Sequence, residues 1–414
     1  MQKKILSCVL VFLFAFSICA HADVSEQPYV ESVNGLIATE YYSDDLLEEP
    51  SETAATVPMT TAPGVKATSV VLMEASTGKI LHENNAREKL FPASITKIMT
   101  MLLVVEAVDN GKIALSDKVE TSEHAASMGG SQIWLKPGET MTVDELLKAA
   151  AVGSANDASV ALAEYVAGSE EGFVAMMNQR AQELGMEDTT FRNACGLDED
   201  GHMTSARDVA IMARELIRHD TIKKYSTIWM DSLRDGATQL VNTNKLVRYY
   251  MGATGLKTGT TDKAGFCLAA TAKRDGMELI AVVMHGESSN ERFTGGKKLL
   301  DYGFANWGIV TPEFDIAQLQ DIRVVKGQKQ SVQIDVDPIQ NQLVKKGGAS
   351  GVTTELSLDE SVQAPVQEGQ KVGSVRVLVD GEEAAIYNVC TVESVEKINW
   401  RFCFARLFAQ FLTL

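Results

Sequence analysis

The chain has 414 residues and is short of the side chains that hold metals and covalent cross-links. Of its six cysteines, Cys8 and Cys19 lie near the N-terminus, and Cys195, Cys267, Cys390 and Cys403 are scattered without a C-x-x-C pair. No disulfide framework is implied. His82, His124, His202, His219 and His285 are equally dispersed, with no H-E-x-x-H or paired ligand spacing, so neither a metal nor another cofactor is expected. Positive charge is scarce: 38 Lys and Arg against 55 Asp and Glu leave a net charge of −17, which argues against nucleic acid as a partner. With 45% hydrophobic and 22% charged residues the composition excludes wholesale disorder and a multi-span membrane protein. The length suits about two or three domains.

The two ends carry addresses. Lys3 and Lys4, an apolar run over residues 5–19 and Ala20-His21-Ala22 describe a secretory signal peptide, residues 1–22, cleaved after Ala22. The run is too short for a comfortable transmembrane span. A lipoprotein site at Cys19 competes, but it wants a small residue before the cysteine and finds Ile18. Residues 23–65 are acidic and rich in Thr, Ser, Ala and Pro, as expected of a flexible leader. Over residues 395–414, Trp400, Phe404, Leu407, Phe408, Phe411 and Leu414 recur at helical spacing, opposite Asn399, Arg406, Gln410 and Thr413. An amphipathic helix of this kind either docks on its own protein or lies in an anionic membrane surface, and Lys397, Arg401 and Arg406 favour the membrane.

Between the ends the pattern is α+β. Residues 68–73 and 79–81 flank a turn at Ser76, Thr77 and Gly78, and residues 266–271 and 279–283 flank Arg274-Asp275-Gly276. Both read as hairpins. Helical patterns lie between them, at Ile95, Ile98, Met99 and Leu102, at Leu146, Leu147, Ala150 and Ala151, and at Ala161, Leu162 and Tyr165. The expected body is a domain over residues 66–312, an antiparallel sheet with a helical cluster. After Pro312 short alternating runs at 322–325, 332–336 and 375–379 predict a small all-β domain over residues 313–394.

Chemistry concentrates in three places. Ser94-Ile95-Thr96-Lys97 opens a helical pattern, and residues three apart share a helix face, so hydroxyl and amine can meet. That pairing suits a serine nucleophile whose proton is taken by a neutral amine. Ser154-Ala155-Asn156 and Lys257-Thr258-Gly259 follow in order, completing the S-x-x-K, S-x-N and K-T-G set shared by penicillin-binding proteins and serine β-lactamases. Singly these motifs are weak: Ser94 could cap a helix, Asn156 could sit in a turn and Lys257 on an exposed strand edge. Residues 252–258 also look superficially like a phosphate-binding loop, but Leu256 stands where the glycine before the lysine is required.

With these blocks the sequence resembles the low-molecular-mass penicillin-binding proteins that are D-alanyl-D-alanine carboxypeptidases. Residues 129–139, Ser154-Ala155-Asn156-Asp157-Ala158, Asn193-Ala194-Cys195-Gly196-Leu197 and Thr204-Ser205-Ala206-Arg207-Asp208 look like further family blocks. Cys195 departs from the pattern, which has histidine in many relatives. The resemblance implies a penicillin-binding-protein/β-lactamase-like fold, a membrane-proximal β domain and a terminal anchor on the outer face of the bacterial cytoplasmic membrane. It implies peptidoglycan stem peptides ending in D-Ala-D-Ala as substrate and β-lactams as acylating ligands.

It also implies roles. Ser94 attacks the carbonyl between the two D-alanines, Lys97 is its base, Ser154 relays the proton to the leaving amine, and Asn156 positions Lys97 and the substrate amide. Lys97 must be neutral near pH 7, which burial and a nearby Lys257 would both favour. Lys257 and Thr258 face the substrate carboxylate, with Gly259 completing the motif, and the amides of Ser94 and Thr260 form the oxyanion hole. Arg292 stands where a further carboxylate-binding arginine is expected, against the alternative of a solvated surface arginine.

Two rivals differ in chemistry. A β-lactamase shares the nucleophile but needs a group to activate the deacylating water, and no Glu-x-x-x-Asn loop follows Asn156. A non-catalytic wall-binding or penicillin-sensing protein would have no need of an activated nucleophile.

Overall fold

The computed structural model describes residues 61–347 and 351–412. The signal peptide, most of the leader and the side chains of Phe411 and Leu414 lie outside the described residues.

Five antiparallel strands form the central sheet: β1 (Ala67–Glu74), β2 (Ile80–Asn84), β3 (Ala253–Thr261), β4 (Gly265–Arg274) and β5 (Met277–Gly286), in the order β2-β1-β5-β4-β3. Both hairpins read from the sequence are there, joined through the pairing of β1 with β5. Asp275 and Gly276 have φ of 48° and 79°, the mirror-image turn whose twist matches a tight hairpin. Strict alternation divides the strands between two cores. Val71 and Met73 of β1 and Ile280, Val282 and Met284 of β5 enter one cluster, while Val70, Leu72, Leu279, Ala281 and Val283 enter the other. Because both faces are covered, the strands read as continuous apolar runs.

The first face is covered by α1 (Lys97–Asp109) and α5 (Ala206–Ile217), with α2 (Val143–Val152), α3 (Asn156–Ala167) and α4 (Glu170–Glu183) stacked around α1, and the second face by α6 (Ser289–Asn306). Helix α1 is buried almost all round, since Ile98, Met99, Leu102 and Val105 are each fully inaccessible. A Leu102→Ala cavity there would cost about 2–5 kcal/mol. The helix that carries Lys97 is therefore enclosed on nearly every side.

A short strand, β6 (Trp307–Val310), leaves α6 and pairs with β10 (Gln342–Lys345) of the β-rich part. The other strands of that part are β7 (Ile322–Val325), β8 (Ser331–Val332), β9 (Ile334–Val336), β11 (Val352–Leu358), β12 (Ser361–Gln363), β13 (Lys371–Val379) and β14 (Glu382–Thr391). The run at 332–336 is not one strand: β8 pairs with β7, whereas β9 pairs with β14 in another sheet. Such a change of sheet within one run makes a corner. The C-terminal helix α7 (Trp400–Leu412) leaves Trp400, Phe404, Leu407 and Phe408 exposed at 73%, 67%, 67% and 57%.

Candidate active site

Ser94 sits in a 3-10 turn, Ala93–Thr96, that runs directly into α1, with Ala93 in the left-handed region at φ 47°. The turn and the first helical residue bring the pair together: Lys97 Nζ donates to Ser94 Oγ at 2.9 Å. The same amine donates to Asn156 Oδ1 at 2.5 Å and to the main-chain carbonyl of Cys195 at 2.7 Å. Lys97 is fully buried.

Asn156 opens α3 two residues after Ser154, which itself holds φ 59°. Its Nδ2 donates to the carbonyl of Gly129 at 2.7 Å and its backbone N–H to that of Ser131 at 2.6 Å. The neighbouring Asp157, wholly buried, accepts from the backbone amides of Ile133, Leu135 and Ala158. Consecutive residues thus bind the loop of residues 129–137 to the helix that orients Lys97.

The Cys195 side chain is buried, and its thiol is pushed up by burial. What reaches the site is its carbonyl. Gly196 next to it, at φ 93°, passes so close to the nucleophile turn that a Cβ would lie 1.9 Å from the Ala93 carbonyl oxygen.

The K-T-G block occupies edge strand β3 beside the same turn. A Cβ on Gly259 would fall 2.9 Å from Pro92 O and 3.0 Å from the backbone nitrogens of Ser94 and Ile95, so glycine lets strand and turn touch. Lys257 is fully buried, with Nζ donating to the Thr258 carbonyl at 3.0 Å. Thr258 Oγ1 donates to Thr243 Oγ1 at 2.7 Å. Arg292, near the start of α6, is only 2% exposed, which removes the surface alternative. Its Nη1 donates to Thr260 Oγ1 at 2.7 Å and its guanidinium lies over the rings of Phe266 and Phe293.

Burial lowers Lys97 from its ordinary 10.5 to about 8, against the opposing pull of Cys195 and Asp157. The expected contribution of Lys257 does not figure in that shift, because desolvation alone carries it.

Sequence reasoning missed several supports. His202, noted only as one of a dispersed set, accepts at Nδ1 from the Arg192 amide at 3.2 Å, which leaves its Nε2 proton for Thr96 Oγ1 at 2.9 Å. Burial pushes this imidazole down to about 4, so it is neutral under the Ser94 turn. Thr100 Oγ1 donates to Ala194 O at 2.5 Å, fastening the loop that bears the Cys195 carbonyl. A chain alone cannot announce contacts made through main-chain atoms. Among the described residues one group, Glu106, Glu215 and His219, has metal-ligand spacing, but Arg180 already donates to both carboxylates, at 2.7 and 3.0 Å.

An antiparallel sheet backed by a helical cluster, with S-x-x-K, S-x-N and K-T-G side by side at one edge strand, defines the penicillin-recognising serine enzymes as a class. The peptidase S11 model, described as D-alanyl-D-alanine carboxypeptidase, matches residues 56–288, and the penicillin-binding protein 5 C-terminal domain matches residues 316–397. The D-alanyl-D-alanine carboxypeptidase DacF of Bacillus subtilis strain 168 is 46% identical over 340 residues, covering 81% of this chain and 87% of the relative. DacC of Escherichia coli K12, of the same description, is 36% identical over 344 residues, 81% of this chain and 86% of its own. The crystal structure of penicillin binding protein 5 from Haemophilus influenzae superposes with a TM-score of 0.70 at 33% identity, covering 82% of this chain and 100% of that one. The chain belongs to the D-alanyl-D-alanine carboxypeptidase family, peptidase S11, and is a serine-type carboxypeptidase.

Proposed function

We propose that the enzyme removes the terminal D-alanine from peptidoglycan pentapeptide stems through an acyl-enzyme on Ser94, and that penicillins acylate the same oxygen. The hydrogen bonding of Lys97 carries this reading. A neutral amine has two N–H donors and one lone pair. Asn156 Oδ1 and the Cys195 carbonyl can only accept, so in the neutral form they keep the two hydrogens, and the 2.9 Å contact that the charged amine donates to Ser94 Oγ reverses, with the lone pair facing the Ser94 proton.

Ser94 then attacks the carbonyl carbon, the C–N bond to the last D-alanine breaks, and the leaving amine takes a proton by way of Ser154. Water repeats the attack on the ester to release the shortened stem. The touching of Gly259 and the Ser94 turn supports an oxyanion hole made by the amides of Ser94 and Thr260, worth about 3 kcal/mol per donor. Lys257, Thr258 and Arg292 supply the cationic, hydroxyl-bearing side that receives the C-terminal carboxylate.

We infer further that the chain is exported by its first 22 residues and held at the outer face of the cytoplasmic membrane by α7. Four large apolar side chains exposed on one short helix, with Arg401 and Arg406 beside them, support in-plane attachment. No helix among the described residues is long and apolar enough to cross a membrane. Residues 66–312, 313–394 and 395–414 then serve as catalytic domain, spacer and anchor.

The test is release of D-alanine from diacetyl-Lys-D-Ala-D-Ala. Release that disappears in Ser94→Ala supports the hydrolase; binding without release favours a sensing protein, and rapid turnover of penicillin favours a β-lactamase.

A further inference from the structure

Thr243 belongs to none of the three motifs, yet it is the residue to which the K-T-G hydroxyl is tied. Thr258 Oγ1 donates to Thr243 Oγ1 at 2.7 Å. The segment around Thr243 is fixed from both sides. Asn242 donates through its backbone to Trp229 O at 2.8 Å and through Nδ2 to Ile228 O at 2.7 Å, and its Oδ1 accepts from Asn244 N at 2.9 Å. Thr243 N donates to the carbonyl of Val152 at 3.3 Å, at the end of the helix that precedes Ser154.

A threonine hydroxyl has one proton and two lone pairs, while a carboxylate only accepts. If Thr258 binds the substrate carboxylate, as proposed above, its one proton must leave Thr243 and turn to the ligand. Thr258 Oγ1 is then an acceptor, and the nearest hydroxyl able to donate to it is that of Thr243.

We propose that Thr243 is a positioning residue that completes a two-hydroxyl relay, Thr243 donating to Thr258 and Thr258 donating to the substrate carboxylate. Hydrogen bonds in such a chain polarise one another, so Thr243 makes Thr258 the stronger donor. Its fixed backbone means that only the hydroxyl protons reorient on binding. The carboxylate is bound before and during acyl transfer alike, so the relay acts on substrate affinity and leaves the chemical step alone.

The experiment is steady-state hydrolysis of diacetyl-Lys-D-Ala-D-Ala by wild type, Thr243→Val, Thr243→Ser, Thr258→Val and the Thr243→Val/Thr258→Val double variant. Far-UV circular dichroism and a wild-type thermal unfolding midpoint certify that each is folded. Thr243→Val is expected to raise KM roughly 3- to 10-fold with kcat nearly unchanged. Thr243→Ser should match wild type. Thr258→Val should raise KM further, and the double variant should be no worse than Thr258→Val, because Thr243 acts only through Thr258.

A wild-type KM in Thr243→Val overturns the relay, as does a double variant whose KM is the product of the two single effects. A lowered unfolding midpoint in Thr243→Val or failure of Thr243→Ser to restore KM marks a structural role and overturns it too. An unchanged KM in Thr258→Val is a different result: it removes the carboxylate assignment, and the relay with it.

Discussion

The main-chain carbonyl of Cys195 accepts a hydrogen bond from Lys97 Nζ at 2.7 Å, so this residue meets the site through its backbone while its thiol is buried. Cys195→Ala should keep penicillin labelling at a stability cost of about 1 kcal/mol. Gly196→Ala should abolish labelling, since a Cβ there would overlap Ala93 O at 1.9 Å. Loss of labelling in Cys195→Ala would assign the thiol a role of its own.

The lone pair of Lys97 sets a pH dependence. Its pKa falls from 10.5 to about 8 in the folded protein, so the base-competent neutral form grows as pH rises through that value. The second-order rate of acylation should climb about tenfold per pH unit below the midpoint and level off above it. Stability moves in the same sense: between about 8 and 10.5 the unfolded chain holds a proton that the folded one has released, so the folded state gains as pH rises across that window. A rate that is flat through the midpoint would remove Lys97 as base.

Asp157 is the clamp of the neighbouring loop. Its buried carboxylate accepts from three backbone amides, and burial holds its pKa above the usual carboxylate range. In Asp157→Asn the amide nitrogen must face one of those N–H donors. We expect a loss of about 2–3 kcal/mol in thermal or denaturant unfolding, with slower acylation in the molecules that remain folded. Unaltered stability would mean that the loop is held by other contacts.

Deleting residues 396–414 should turn a protein that sediments with anionic vesicles into one that stays in the supernatant and still binds penicillin. The exposed ring faces of Trp400, Phe404 and Phe408 are the contacts it would lose. Continued sedimentation of the truncated protein would place the attachment elsewhere.

The sheet was legible because its hairpins carry turn residues of defined backbone, such as Asp275-Gly276, and because three short motifs have few other uses in combination. The Ser94–Lys97 contact follows from helix spacing alone. What stayed hidden depends on contacts that residue type does not encode. The Cys195 carbonyl is a main-chain atom, Thr243 is one threonine among many, and the neutrality of His202 comes from what buries it. Arg292 is expected from the sequence on the carboxylate side, with a solvated surface position as the alternative, and only its enclosure by Phe266 and Phe293 decides between them. The break at 332–336 was missed because alternation continues smoothly across a corner while the pairing partner changes.

The most direct test of a Ser94 acyl-enzyme is mass spectrometry of the intact protein after brief exposure to penicillin, followed by mapping of the modified peptide. With Ser94 as the nucleophile, one long-lived adduct forms per chain, on the peptide containing Ser94, and none forms in Ser94→Ala. An adduct on any other residue, or none on a protein that still releases D-alanine, would contradict it.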